Sequence, residues 1–182
     1  MILRIIDRRH NPAPDDLVRT QENIFRKLVI DLGQPTWSFD LVLVEDDAMA
    51  QLNSQFRSKA SVTDVLSFSY LLNEGSEPCD LATGSLGASA DLWLDQLTEP
   101  GDEGDLKNIG EVILAPDFIA VRCEKQQWSL EVEFPMLVVH GALHLLGWDH
   151  EDEQEANSMK DLEEKFLMTC GFSHPLRSLE GH

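Results

Sequence analysis

The chain has 182 residues, of which 42% are hydrophobic and 26% charged, enough for one globular domain with its own core and too apolar for a disordered chain. Its formal net charge of −19 works against non-specific binding to nucleic acid, because phosphate contacts want a basic surface. Three scattered cysteines (Cys79, Cys123 and Cys170), none in a C-x-x-C pair, exclude a disulfide framework and a cysteine zinc site.

In chain order, Leu3 to Asp7 is a short β-branched-rich strand, broken by Pro12 and Pro14. Asp15 or Asp16 opens a helix to about Leu32, with Leu17, Ile24, Leu28 and Leu32 at helical spacing and Gly33 as its stop. Trp37 to Val44 is a second strand, partly alternating. Asp46 or Asp47 caps a short helix, Ala48 to Phe56, and Val62 to Leu71 is the next strand. Residues 72–107 are rich in Gly, Ser, Pro and Asp and read as an acidic surface loop or insertion, with a short helix near Leu92–Leu97. Ile109 to Leu114 is a fourth strand, and Pro116 begins a helix to about Gln127. Phe134 to Leu146 is an apolar helix with Pro135 in its first turn, and an amphipathic helix runs from about Glu151 to Cys170, stopped by Gly171. The expected fold is α+β: a small mixed four-stranded sheet packed with about five helices in a single domain, residues 1–182.

The N-terminal apolar run is interrupted by Arg4 and Asp7, so it does not read as a signal peptide. The longest apolar stretch, Phe134 to Trp148, is too short to span a bilayer. A soluble cytoplasmic protein without a membrane partner is expected. The charge is uneven. Residues 1–60 hold eight Lys+Arg against nine Asp+Glu, net −1, which leaves −18 for the rest. Glu74 to Asp105 carries nine carboxylates and no basic residue, and Asp149 to Glu164 carries eight with one lysine. A local cationic site therefore remains compatible with the global sign.

The segment that carries chemistry is His140-Gly-Ala-Leu-His144-Leu-Leu-Gly147-Trp-Asp-His150, which holds three of the six histidines in eleven residues. His140 and His144 are four apart, so on a helix their rings share one face and can share one metal ion. Gly147 ends the helix in a left-handed conformation and lets His150 return as a third ligand. Three protein ligands leave a fourth position for water, the catalytic pattern of zinc, with a bound water of pKa roughly 7. One Zn2+ per chain is expected at the end of a core helix, although three imidazoles also suit nickel or copper. Asp149 is placed either to orient a ligand or to cap the last helix. The histidine spacing is also that of metzincin peptidases, which carry a glutamate general base directly after the first histidine. Gly141 stands there and cannot take a proton, so a peptidase would have to find its base elsewhere, which demotes that reading.

This segment resembles the YbeY signature HGxLHLxGyDH, with Trp148 at the usual Tyr or Phe. Upstream, Leu52-Asn53-Ser-Gln-Phe56-Arg57-Ser-Lys59-Ala60-Ser-Val62-Thr63-Asp64-Val65-Leu66-Ser67-Phe68 is similar to the family's LNxxyRxkdxpTDVLSFp block, with Ala60 and Val62 in place of Asp and Pro. Ile109-Gly110-Glu111-Val112-Ile113-Leu114 is like its lGdIxIs strand. The resemblance implies a zinc-dependent, single-strand-preferring endoribonuclease acting in rRNA maturation and ribosome quality control. RNA and ribosomal subunits or proteins are then the partners, not DNA. It carries over His140, His144 and His150 as zinc ligands and Arg57 as the active-site arginine. A guanidinium there suits the charge that gathers on a phosphate in the transition state. Lys59 adds positive charge beside it, and Ser67 lies on a strand that supplies core and cleft wall. Zinc-bound hydroxide and the RNA 2′-hydroxyl are both open as nucleophile; the second leaves a 2′,3′-cyclic phosphate. A zinc-stapled assembly factor without chemistry and a metallopeptidase-like hydrolase are the alternatives.

Overall fold

A computed structural model describes residues 3–12, 15–31, 37–70, 107–148 and 153–173. Its strands are β1 (Leu3–Asp7), β2 (Trp37–Leu43), β3 (Val65–Ser69) and β4 (Lys107–Leu114). Its helices are α1 (Asp15–Asp31), α2 (Asp46–Arg57), α3 (Pro116–Gln126), α4 (Leu130–Leu145) and α5 (Glu153–Thr169). The strands form one mixed sheet in the order β1-β2-β4-β3. β1 pairs parallel with β2, and β2 with β4, while β3 runs antiparallel on the edge of β4. Parallel neighbours need a crossover between them, and α1 supplies it between β1 and β2. The expected four-stranded α+β architecture is present.

The sheet is buried on both faces at the C-terminal ends of its central strands, which is why residues 41–44 and 112–115 read as unbroken apolar runs. Phe39, Leu41, Leu43, Val112 and Leu114 point to one side, where they meet Ile24, Phe25 and Leu28 of α1, Ile119 and Cys123 of α3, the buried face of α4, and Met159, Phe166 and Leu167 of α5. Val42, Val44, Leu66, Phe68 and Ile113 point to the other side, onto Met49 and Leu52 of α2. A register shift between Ser38 and Asp40, opposite Gly110 with φ +150°, interrupts the alternation. Across the sheet, Arg4 clamps the buried Asp40 with two hydrogen bonds, from Nε at 2.9 Å and from Nη2 at 2.5 Å.

Several boundaries differ from expectation. Helix α2 begins at Asp46 and not at Ala48, so Asp46 and Asp47 lie in its first turn and Glu45 takes the cap position. Helix α4 begins at Leu130, one turn before Phe134, so Pro135 lies inside the helix and not in its first turn. Glu131 and Glu133 in that first turn favour the positive helix end and offset a proline that cannot bond to the preceding turn. β3 starts only at Val65, because Asp64 turns the chain: its carboxylate accepts from the Val65 N–H (3.0 Å) and its carbonyl from Ala115 (3.1 Å). β4 begins at Lys107, two residues early. Gly33, Cys79, the rest of the acidic 72–107 segment with Leu92–Leu97, and Asp149 and His150 lie outside the described residues. Among those described, no helix is long and apolar enough to cross a membrane.

Candidate functional site

Helix α4 is the spine of the site. Phe134, Leu137, Val138, Val139, Ala142, Leu143 and Leu145 are all buried, so its backbone is fixed by the core on most sides. Its end is built as expected at Gly147, which takes φ +90°. The Trp148 N–H donates to the Leu143 carbonyl (3.1 Å) and the Gly147 N–H to that of His144 (3.0 Å), the paired bonds of a Schellman stop. The Ser69 hydroxyl of β3 donates to the Leu145 carbonyl at 2.8 Å and satisfies another exposed acceptor of the last turn.

One turn apart on this helix, His140 and His144 point their Nε2 atoms at each other, 3.2 Å apart, with ring planes at 88°. Two imidazoles bound to one tetrahedral zinc, at about 2.05 Å each, have nitrogens about 3.3 Å apart. The pair therefore fits two ligand positions of such a metal. The other nitrogen of His140, Nδ1, lies 2.6 Å from Oε1 of Glu163 on α5. Glu163 is only 3% exposed and is one of few charged residues in the core. His150 falls in the α4–α5 connection, outside the described residues. Among the described residues alone, no group of three His, Cys, Asp or Glu side chains converges as a metal site.

Gly141 sits between the histidines and faces the sheet. A Cβ there would meet Val112 Cγ1 at 2.5 Å and Ser67 Oγ at 3.1 Å. The helix and sheet approach too closely for any side chain at this position, so the glutamate base of a metzincin has no room. The same contact puts the Ser67 hydroxyl against the helix between the two histidines.

Arg57 is the last residue of α2 and is exposed. Ser58 follows with φ +56°, and the buried Asn53 holds the turn by donating from Nδ2 to the Ser61 carbonyl at 2.7 Å. Phe56 stacks edge-on against Phe68, with centroids 4.8 Å apart. Phe68 and Ser69 are consecutive in edge strand β3, so the neighbours of Arg57 and of His144 rest on opposite faces of the same strand end. Among the described residues neither Arg57 nor Lys59 has a carboxylate partner, which leaves both charges exposed to solvent. Behind β3, Arg122 pairs with Asp64 and with the buried Glu133, tying the turn before the strand to α3 and α4. Cys123 lies in the core, and burial raises its thiol pKa, so it is a packing residue and not a nucleophile.

Sequence reasoning missed Glu163 and offered only Asp149, which lies outside the described residues, as either a ligand-orienting carboxylate or a helix cap. The signal was present: Met159, Glu163, Phe166 and Leu167 are at helical spacing, and a glutamate within an apolar stripe is an anomaly.

Fold and site together define a class: an α+β protein with a histidine pair of metal-ligand geometry on a buried helix and an exposed arginine at the same end of the sheet. The comparisons narrow it. Residues 8–171 match the family described as Endoribonuclease YbeY. A relative named Endoribonuclease YbeY from Synechococcus sp. (strain CC9902) is 33% identical over 156 residues, 86% of this chain and 73% of its own. One of the same name from Francisella tularensis subsp. tularensis (strain SCHU S4 / Schu 4) is 30% identical over 90% of this chain and 81% of its own. The solution structure of TM1509 from Thermotoga maritima shares the fold, with a TM-score of 0.52 at 19% identity, covering 95% of this chain and 97% of that one. The chain belongs to the YbeY endoribonuclease family, and so to a family of hydrolases.

Proposed function

We propose that this chain is a cytoplasmic, single-domain, zinc-dependent endoribonuclease that prefers single-stranded RNA and acts in rRNA maturation and ribosome quality control, with ribosomal subunits or proteins as partners. The observation that carries the reading is the convergence of His140 and His144 Nε2 at 3.2 Å. Two neutral imidazoles have no reason to crowd their lone pairs unless a proton or a cation lies between them. His150 is the third ligand. Zinc, when bound, supplies Lewis acidity toward a phosphate oxygen.

The chain's own residues do the rest. Arg57 offers a planar pair of donors to a phosphate and stabilises the charge that gathers there during cleavage. Lys59, two residues on, adds positive potential. On a chain of net charge −19, RNA is held where a local cation meets it and not over the whole surface, which favours an exposed, flexible strand. Ser67 lines the wall between the histidine pair and the sheet.

The test has two parts. Protein purified without added metal is assayed by mass spectrometry, as wild type and as His144→Ala. About one zinc per chain is expected in the first and little in the second. Cleavage of single-stranded and duplex RNA is then compared for wild type and Arg57→Ala. A loss of about 100- to 1,000-fold is expected, with circular dichroism unchanged because Arg57 is exposed. Folded wild-type protein that takes up no zinc overturns the metal assignment. Undiminished cleavage by Arg57→Ala overturns the role of the arginine.

A further inference from the structure

The geometry points to Glu163 as the positioning residue of the metal centre: it holds the proton of His140 on Nδ1 and so keeps Nε2 as a lone pair aimed at the ion. This inference rests on the zinc reading above. Three observations carry it. The first is the 2.6 Å separation of His140 Nδ1 and Glu163 Oε1, short enough for a charge-assisted hydrogen bond. The second is burial. Glu163 is 3% exposed, and a carboxylate removed from water is strongly disfavoured unless it is paired. The third is the direction of the ring: with Nδ1 turned to Glu163, Nε2 faces His144 at 3.2 Å.

A neutral imidazole carries its proton on one nitrogen only. A carboxylate accepts and cannot donate, so its partner nitrogen must be the one that bears hydrogen. The opposite nitrogen is then left as the ligand atom, with its basicity increased by the negative charge behind the ring. Glu163 reaches the ring from α5, the helix that follows the third histidine in sequence. It therefore also fixes α5 against α4 at the level of the site. An anchoring role alone would be met by any residue of similar size and shape. A tautomer-fixing role requires an acceptor.

Two substitutions separate these roles. Glu163→Gln keeps an acceptor oxygen and loses the charge, while Glu163→Met keeps the volume and loses both. The first readout is the zinc dissociation constant, measured against a chromophoric chelator. A weakening of about 10- to 100-fold is expected for Glu163→Met, with Glu163→Gln between it and wild type. The second is the nitrogen-15 spectrum of the histidine rings in metal-free protein, where wild-type His140 is expected to carry its proton on Nδ1 and Glu163→Met to lose that preference. If Glu163→Met does not fold, Glu163→Gln and the wild-type spectrum carry the test. Zinc affinity equal to wild type in a folded variant overturns the proposal, and so does a wild-type His140 protonated on Nε2. If wild type takes up no zinc, it is the metal reading that fails, and the ring spectrum still decides what Glu163 does.

Discussion

Replacing Gly141 with alanine adds one methyl group to the most crowded point of the helix–sheet contact. An ideal Cβ lies 2.5 Å from Val112 Cγ1 and 3.1 Å from Cγ2, against an optimum of about 3.5–4.0 Å between carbons. Roughly 1 Å of separation must be found. Val112 cannot supply it: it is 0% exposed, paired with Leu41 on one side and Ser67 on the other, and β-branched with a stiff χ1. Overpacking of this kind costs about 1–3 kcal/mol. Alanine recovers about 0.8–1 kcal/mol of helix propensity relative to glycine. The net expectation is a loss of up to about 2 kcal/mol, or a melting temperature lower by up to about 8 °C for a chain of this size. Calorimetry in the presence of chelator reads it without the metal. Val112→Ala in the same background removes the clashing methyls, so the two substitutions should couple favourably by at least about 0.5 kcal/mol. A Gly141→Ala protein that melts higher than wild type, as propensity alone dictates, would falsify the steric account of this position.

Two further expectations follow from charges. Arg122→Leu removes the guanidinium from Glu133, whose side chain is 1% exposed, and should cost about 3 kcal/mol in denaturant unfolding; a loss below about 1 kcal/mol would show that other groups hold Glu133. Asp46 has a folded pKa raised above its ordinary 3.8, mainly by burial, with Asp117, Glu45 and Asp47 adding to it. The ionised form is thus the disfavoured one: stability is lost as pH rises through the raised pKa and recovered as pH falls through it. Asp46→Asn keeps an acceptor for the Phe118 N–H and should melt above wild type at pH 7, with the difference closing in acid; an equal or lower melting temperature at pH 7 would refute it.

Elements governed by local chemistry were legible in the sequence. β1 and α1 begin where expected, because prolines and an acidic helix start mark the boundary between them. The stops at Gly147 and Gly171 read correctly because a residue beyond the helix had to adopt positive φ, which glycine does without strain. Two other helices end the same way without glycine, at Ser58 and Gln127, and no compositional signal marks those ends. The early start of α4 was hidden because Pro135 looks like a first-turn residue, while Leu130 to Glu133 alternate apolar and acidic. Of the candidate site, the two helical histidines were found by spacing, since a period of 3.6 residues is enough to place them on one face. Glu163 was legible only as a charge within the apolar stripe of α5, and its meeting with His140 was not, because that comes from the docking of two helices. The crowding at Gly141 is likewise tertiary: sequence shows the missing side chain, and only the nearness of Val112 explains it.

The burial of α4 also bears on time. A backbone enclosed by the sheet and three other helices has few ways to open locally, so its amide hydrogens should exchange with solvent only when the whole protein unfolds. Any ion held by His140 and His144 then rests on two donors that do not fluctuate apart, and each transient loss of one bond leaves the other in place for rebinding. If these histidines hold an ion, slow exchange of that ion, rather than tight equilibrium binding alone, is the property expected of such a helix.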